Sequence, residues 1–149
     1  MAAALRARIA GTPGAEPLTL ATVHLFSMHT FQLRMWLRAG GVDPEREVRI
    51  IVLPPEQMCA SLARGIIDGF CVGEPWNSVA IAQGAGWCAA ASCEFAPGHP
   101  EKVLAVRADF ARANADRHLG VVAALLEACA FCAEPANREA ILAVLARRE

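Results

Sequence analysis

Residues 48–73 read VRIIVLPPEQMCASLARGIIDGFCVG, and three patterns succeed one another within them. VRIIVL (48–53) is a short, nearly continuous run of β-branched and apolar residues. Such a run reads as a strand buried on both faces, the kind found in parallel sheets. Pro54 and Pro55 follow, and proline suits a first helical turn, where its missing N–H costs nothing. The helix they open is predicted to run through Arg64, with Met58 and Leu62 turned inward at i and i+4. Gly65 closes it. IIDGFCVG (66–73) is a second apolar run, broken by Gly69, and reads as another strand. Strand, helix and strand joined this tightly imply a parallel pair with the helix crossing over one face.

The same alternation extends in both directions. Upstream, LTLATVHLF (18–26) reads as a strand, and HTFQLRMWLRA (29–39) as a helix with Leu33, Trp36 and Leu37 on one face. Gly40 and Gly41 stop that helix. Residues 1–10 have helical character, and Gly11 to Pro17 is rich in turn formers. Downstream, Pro75 opens a helix to about Gln83, ended by Gly84 and Gly86. WCAAA (87–91) and KVLAVRAD (102–109) are predicted as fourth and fifth strands. From 116 the pattern is helical, with stripes Leu119/Val122/Leu126 and Ile141/Val144/Leu145 on either side of Pro135. The predicted fold class is α/β: a mostly parallel sheet of five strands flanked by helices, plus C-terminal helices.

Composition narrows the function classes. The chain has 149 residues, 55% hydrophobic and 19% charged, with a net charge of −1. It is therefore globular, and it lacks the clustered basic charge of a nucleic-acid-binding surface. No apolar run approaches the roughly 20 residues of a bilayer span. The N-terminal MAAALRARIAGTPGAEP is not expected to act as a signal peptide, because Arg6 and Arg8 interrupt its apolar stretch. As the chain stands, a cytoplasmic location is expected, or a periplasmic or membrane-anchored one if a leader has been lost. The six cysteines (59, 71, 88, 93, 129, 132) read as buried, reduced residues. Cys129 and Cys132 form a C-x-x-C inside a helical pattern, without two further ligands at zinc spacing. No metal or cofactor is expected.

In open α/β sheets, ligands gather at the carboxyl ends of the strands, where helix N-termini converge. Three junctions qualify: 26–30, 53–57 and 71–77. His29 opens a helix, where free N–H groups favour anions, and reads either as an oxyanion donor or as a capping residue. Gly73 either lets a ligand approach the backbone or serves a tight turn before Pro75. Trp76 reads as a pocket wall or a core residue, and Glu74 as a base or a first-turn carboxylate. Lys102 is a surface lysine or a cation pointing into the crevice, which would require an antiparallel fifth strand. His99 reads as part of the turn with Pro100. Cys71 near His29 would make a thiol–imidazole pair only if its thiol were exposed and acidic.

Taken together, FSMHTFQLRMWLRAGGVDPEREVRIIVLPPEQM (26–58), RGIIDGFCVGEPWN (64–77) and HPEKVLAVRAD (99–109) resemble the nitrate/nitrite-binding protein family, over roughly residues 17–133. That family includes solute-binding proteins of nitrate ABC transporters and a nitrate-responsive sensor that controls an RNA-binding antiterminator; bicarbonate-binding proteins share its fold. The resemblance implies a periplasmic-binding-protein-like (type II) fold, with the anion held between two lobes. It implies a binder or sensor and not an enzyme, with His29, Gly73 and Lys102 as ligand contacts. A lysine at 102 favours nitrate over a metal-assisted bicarbonate site. This chain corresponds to the second lobe: 1–16 as a crossover, 17–115 as the anion-binding lobe and 116–149 as helices returning to the first lobe. Expected partners are nitrate or nitrite, the missing lobe or a partner chain, and an ABC permease and ATPase or an antiterminator. Neither direct nucleic-acid binding nor membrane insertion is expected. A degenerate interaction module without ligand is the alternative reading.

Overall fold

The computed structural model describes residues 2–11, 14, 16–100 and 102–146. They form two compact units, Met1–Glu101 and Lys102–Glu149. The first unit carries the sheet. Its elements are α1 (Ala2–Ala10), β1 (Leu18–Thr22), α2 (Met28–Ala39), β2 (Val48–Val52), α3 (Pro55–Ala63), β3 (Gly69–Cys71), α4 (Trp76–Ala82) and a short α5 (Ser92–Phe95). The strands are all parallel, in the order β2-β1-β3. Leu18 pairs with Val48 and Thr22 with Val52, while Leu20 and Thr22 pair with Gly69 and Cys71. Asp68 secures the entry to β3 twice: its N–H donates to the Thr19 carbonyl and its carboxylate accepts from the Thr19 N–H, both at 2.8 Å.

Strand alternation distributes the apolar side chains to two cores. Leu20 and Val48 join Leu33, Leu37 and Val42 beneath α2, with Leu5 and Ile9 of α1, Trp36 and Cys71 packed at the margin. Ala21 joins Met58, Ile67 and Val72 beneath α3, with Ile51, Leu62, Phe70 and Trp76 alongside. The inward faces predicted for α2 and α3 are thus the observed ones. At the end of α2, Gly41 adopts φ 78°, and the N–H groups of Gly41 and Val42 donate to the carbonyls of Arg38 and Leu37. This left-handed cap turns the chain so that Val42 is buried against Leu37.

Two predicted strands are not formed. Residues 87–91 are irregular and largely exposed. The run is alanine-rich with no β-branched residue, and the Ala91 N–H is taken by the Glu94 carboxylate at 2.8 Å, which starts α5 instead. Residues 102–107 belong to no helix and no strand, and 108–113 form a helix, α6 (Ala108–Ala113). A strand exists only through its ladder, and this segment lies outside the unit that carries the sheet. The sheet of the described residues accordingly has three strands, not five.

The second unit continues with α7 (Ala115–Ala133), a 3-10 turn (Pro135–Asn137) and α8 (Arg138–Leu145). None of its described residues is buried. Cys129 and Cys132 are exposed on α7, as are Cys88 and Cys93 in the first unit; Cys71 is half-buried, and only Cys59 is buried. The expectation of six buried cysteines is corrected, because the helix that carries the C-x-x-C has no core beneath it. All six are free thiols.

Candidate functional site

The carboxyl ends of β1 and β3 lie side by side, since Thr22 pairs with Cys71. The turn from β1 into α2 is held by a ring of hydrogen bonds. The Thr30 hydroxyl donates to the His24 carbonyl at 2.6 Å. Its only proton is then spent, so the 2.6 Å contact between the Thr22 and Thr30 hydroxyls has Thr22 as donor. The His24 N–H closes the ring onto Thr22 Oγ1 at 3.4 Å. Thr22 and Thr30 are fully buried. Ser27 caps α2, accepting the Thr30 N–H on its hydroxyl at 3.2 Å. This network fixes the first turn of the helix, and so fixes where His29 points.

His29 is half-buried, with Nδ1 shielded from solvent. Its Nε2 faces Gly73: a Cβ built on that glycine would stand 3.5 Å from it. The structure thus brings together the imidazole from the start of α2 and the bare backbone that follows β3. Gly73 is not among the glycines with positive φ, so the turn before Pro75 does not demand glycine. What its missing side chain provides is an open approach to the backbone beside the imidazole. Asn77, which sequence reasoning did not single out, holds this turn by donating from Nδ2 to the Val72 carbonyl at 2.8 Å. An Asn two residues past a proline was its only signal.

The other candidates settle elsewhere. Trp76 packs against the core under α3, and its carbonyl accepts the Cys59 thiol at 3.4 Å. Glu74 is exposed, lies ahead of α4, and accepts the Ser78 N–H at 3.2 Å. His99 lies in its turn with Nδ1 2.5 Å from the Ala96 carbonyl. Lys102 begins the second unit, exposed, in the segment that is not a strand. The antiparallel strand that was to carry it is therefore absent from the described residues.

Burial pushes the Cys71 thiol up to about 11, with the neighbouring Cys88 adding to the shift. A thiol so disposed stays protonated at neutral pH, which is the opposite of what a thiol–imidazole nucleophile requires. A cavity of about 530 Å³ is lined by Trp36, Phe70, Trp87, Phe95, Cys71 and Asp68, among others. Neither His29 nor Gly73 lines it, and the carboxylate of Asp68, its one charged wall residue, would repel an anion. No group of three or more His, Cys, Asp or Glu among the described residues converges as a metal site.

Comparison with known proteins bears on this arrangement. The model of the NMT1-like family matches residues 1–146. The chain is 45% identical over 142 residues to the nitrate import ATP-binding protein NrtC of Synechocystis sp., covering 95% of this chain and 21% of that protein. It is 48% identical over 131 residues to the bicarbonate transport ATP-binding protein CmpC of the same organism, covering 88% of this chain and 20% of the other. The crystal structure of the periplasmic nitrate-binding protein NrtA from Synechocystis superposes with a TM-score of 0.84 at 33% identity, covering 99% of this chain and 37% of that one. The chain thus spans about a fifth of those ATP-binding proteins and little more than a third of the solved binding protein. With a family model matching residues 1–146 and a periplasmic-binding-protein-type α/β lobe beneath it, the chain belongs to the NMT1-like family.

Proposed function

We propose that this chain binds a small planar oxyanion, nitrate or nitrite, as one lobe of a two-lobed binder. The observation that carries this reading is the meeting of the His29 imidazole with the open backbone at Gly73, beside the N-terminus of α2. Nitrate offers only acceptors and is weakly hydrated, so its site must consist of donors. An imidazole N–H, a backbone N–H and the partial positive charge of a helix N-terminus are such a set. Lys102 is proposed, on the family resemblance, as the cation that completes it. These contacts fall within residues 17–115, with the helices of 116–149 assigned to packing outside that lobe. Association with an ABC permease and ATPase follows from the same reading, and its relatives' names connect them with nitrate and bicarbonate transport.

With only one wall of the crevice, water competes for every donor and screens the charge. The isolated chain is expected to bind nitrate no better than millimolar. Calorimetry on the chain supplemented with the other lobe of the proposed binder tests the assignment: affinity should rise with the lobe and fall with His29→Ala. Equal affinity for His29→Ala and the parent would refute the site.

A second reading makes the chain a nitrate-responsive module acting on a transport ATPase from the ATP-bearing side of the membrane. It is favoured by the higher identity to stretches of transport ATP-binding proteins, 45% and 48%, than to the solved binding protein, 33%. ATP hydrolysis by a transport ATP-binding protein of the kind the chain resembles, assayed with and without this chain and nitrate, separates the two. A nitrate-dependent change supports the module; none supports the transport binder.

A further inference from the structure

The C-x-x-C of α7 has no part in the anion site. Cys129 and Cys132 stand at i and i+3 on an α-helix of 19 residues, so their thiols project from one face, one turn apart. Both are exposed free thiols. They lie in the last two turns of α7, and that end of the helix is tied down. The Phe131 carbonyl accepts from Asn137 Nδ2 at 3.0 Å and from the Glu134 N–H at 3.3 Å. The helical spacing of the pair is therefore held to the end of the helix.

That spacing decides what the pair can hold. Cβ atoms three residues apart on a helix lie roughly 5–6 Å from each other. A disulfide needs about 3.5–4.5 Å between its Cβ atoms, so forming one would unwind the turn. An ion between the sulfurs spans a wider gap. With metal–sulfur bonds of roughly 2.3 Å, two sulfurs in line across an ion stand about 4.6 Å apart. Their Cβ atoms can then keep the helical spacing. The number of ligands selects the ion. Zinc takes four, and among the described residues no group of three or more His, Cys, Asp or Glu converges. Two thiolates alone suit a soft monovalent ion, and thiolate softness favours copper(I).

We propose that Cys129 and Cys132 form a two-coordinate site for copper(I) on the exposed face of α7. Binding breaks two S–H bonds and forms two S–Cu bonds. Both protons leave to solvent, no electron is transferred, and the metal is supplied as copper(I). Because protons are released, affinity rises with pH. The site belongs to the second unit, whereas His29 and Gly73 belong to the first, so it stands or falls independently of the anion reading.

The test titrates the full chain, reduced and anaerobic, with copper(I) against the chelator bicinchoninate. One ion should bind per chain, with the chain monomeric by light scattering and two sulfur neighbours seen by X-ray absorption. Losing an outer-shell partner of a metal ligand costs roughly 10–100-fold, so losing one of only two ligands should cost at least about a hundredfold. Cys129→Ser and Cys132→Ser should each show that loss. Both positions are exposed, so circular dichroism should match the parent's. Cys88→Ser and Cys93→Ser should bind as the parent does, since Cys88 lies in irregular chain and Cys93 on the four-residue α5. Equal affinity in the parent and in either α7 variant overturns the proposal, as does loss of binding in Cys88→Ser or Cys93→Ser. One ion shared between two chains also overturns it. So does complete closure of a Cys129–Cys132 disulfide by oxidised glutathione with helix content unchanged, because the spacing would then suit oxidation.

Discussion

Replacing Gly73 by alanine separates a role in binding from a role in folding. Gly73 does not occupy the left-handed region, and the added methyl would meet His29 Nε2 at 3.5 Å, an ordinary van der Waals distance. The backbone therefore accepts alanine, and stability should hold or rise by about 0.4–1 kcal/mol as the unfolded chain loses freedom. Binding should behave differently. An anion oxygen accepting from Nε2 must sit about 2.8 Å from it, in the gap the methyl would fill. Losing one charge-assisted hydrogen bond costs roughly 1.5–3 kcal/mol, a tenfold to hundredfold fall in affinity. The assay is an NMR titration with nitrate against chloride at constant ionic strength, following the amides of residues 28–30 and 73, with thermal melts in parallel. Equal nitrate response in the Gly73→Ala chain would refute the reasoning. So would a loss of stability beyond about 2 kcal/mol, since the glycine would then be needed by the fold.

Three further outcomes are expected. Thr30→Val keeps the shape but breaks the buried ring joining Thr22, Thr30 and His24. It should cost about 1–3 kcal/mol in denaturant melts and broaden the His29 resonances; an unchanged melt would show the ring to be dispensable. Cys71 is raised from 9.0 to about 11, so its native state holds the proton more tightly than the unfolded chain does. Its contribution is complete below pH 9 and disappears as pH rises towards 11, a fall of about 2–3 kcal/mol. The Cys71→Ala chain should lack that fall, and identical pH profiles for the two would contradict the assignment. With the other lobe of the proposed binder supplied, Lys102→Glu should abolish nitrate binding and Lys102→Ala should weaken it by one charge-assisted bond, about tenfold to hundredfold. Unchanged affinity by calorimetry would remove Lys102 from the site.

Local chemistry made much of the first unit legible without coordinates. The β-branched run at 48–53, the prolines at 54 and 55 and the glycines at 40, 41 and 65 act within a few residues of themselves. Their consequences therefore appear as the observed β2, α3 and helix ends. His29 and Gly73 could be singled out because helix starts and strand ends are marked in one dimension. That their atoms face each other across a parallel register was decided only by the sheet order, which brings β3 beside β1. The threonine ring and the Asn77 bond close within the turns that follow β1 and β3, but which side chain closes each turn is set by its three-dimensional path. The fourth and fifth strands failed for the complementary reason. A strand's hydrogen bonds belong to its partner, and neither composition at 87–91 nor alternation at 102–107 supplies one. The apolar stripes of α7 and α8 were plain in the sequence, but whether they lie in a core is a property of what packs on them. Among the described residues, Val122 and Ile141 are half-buried and the other stripe residues are exposed.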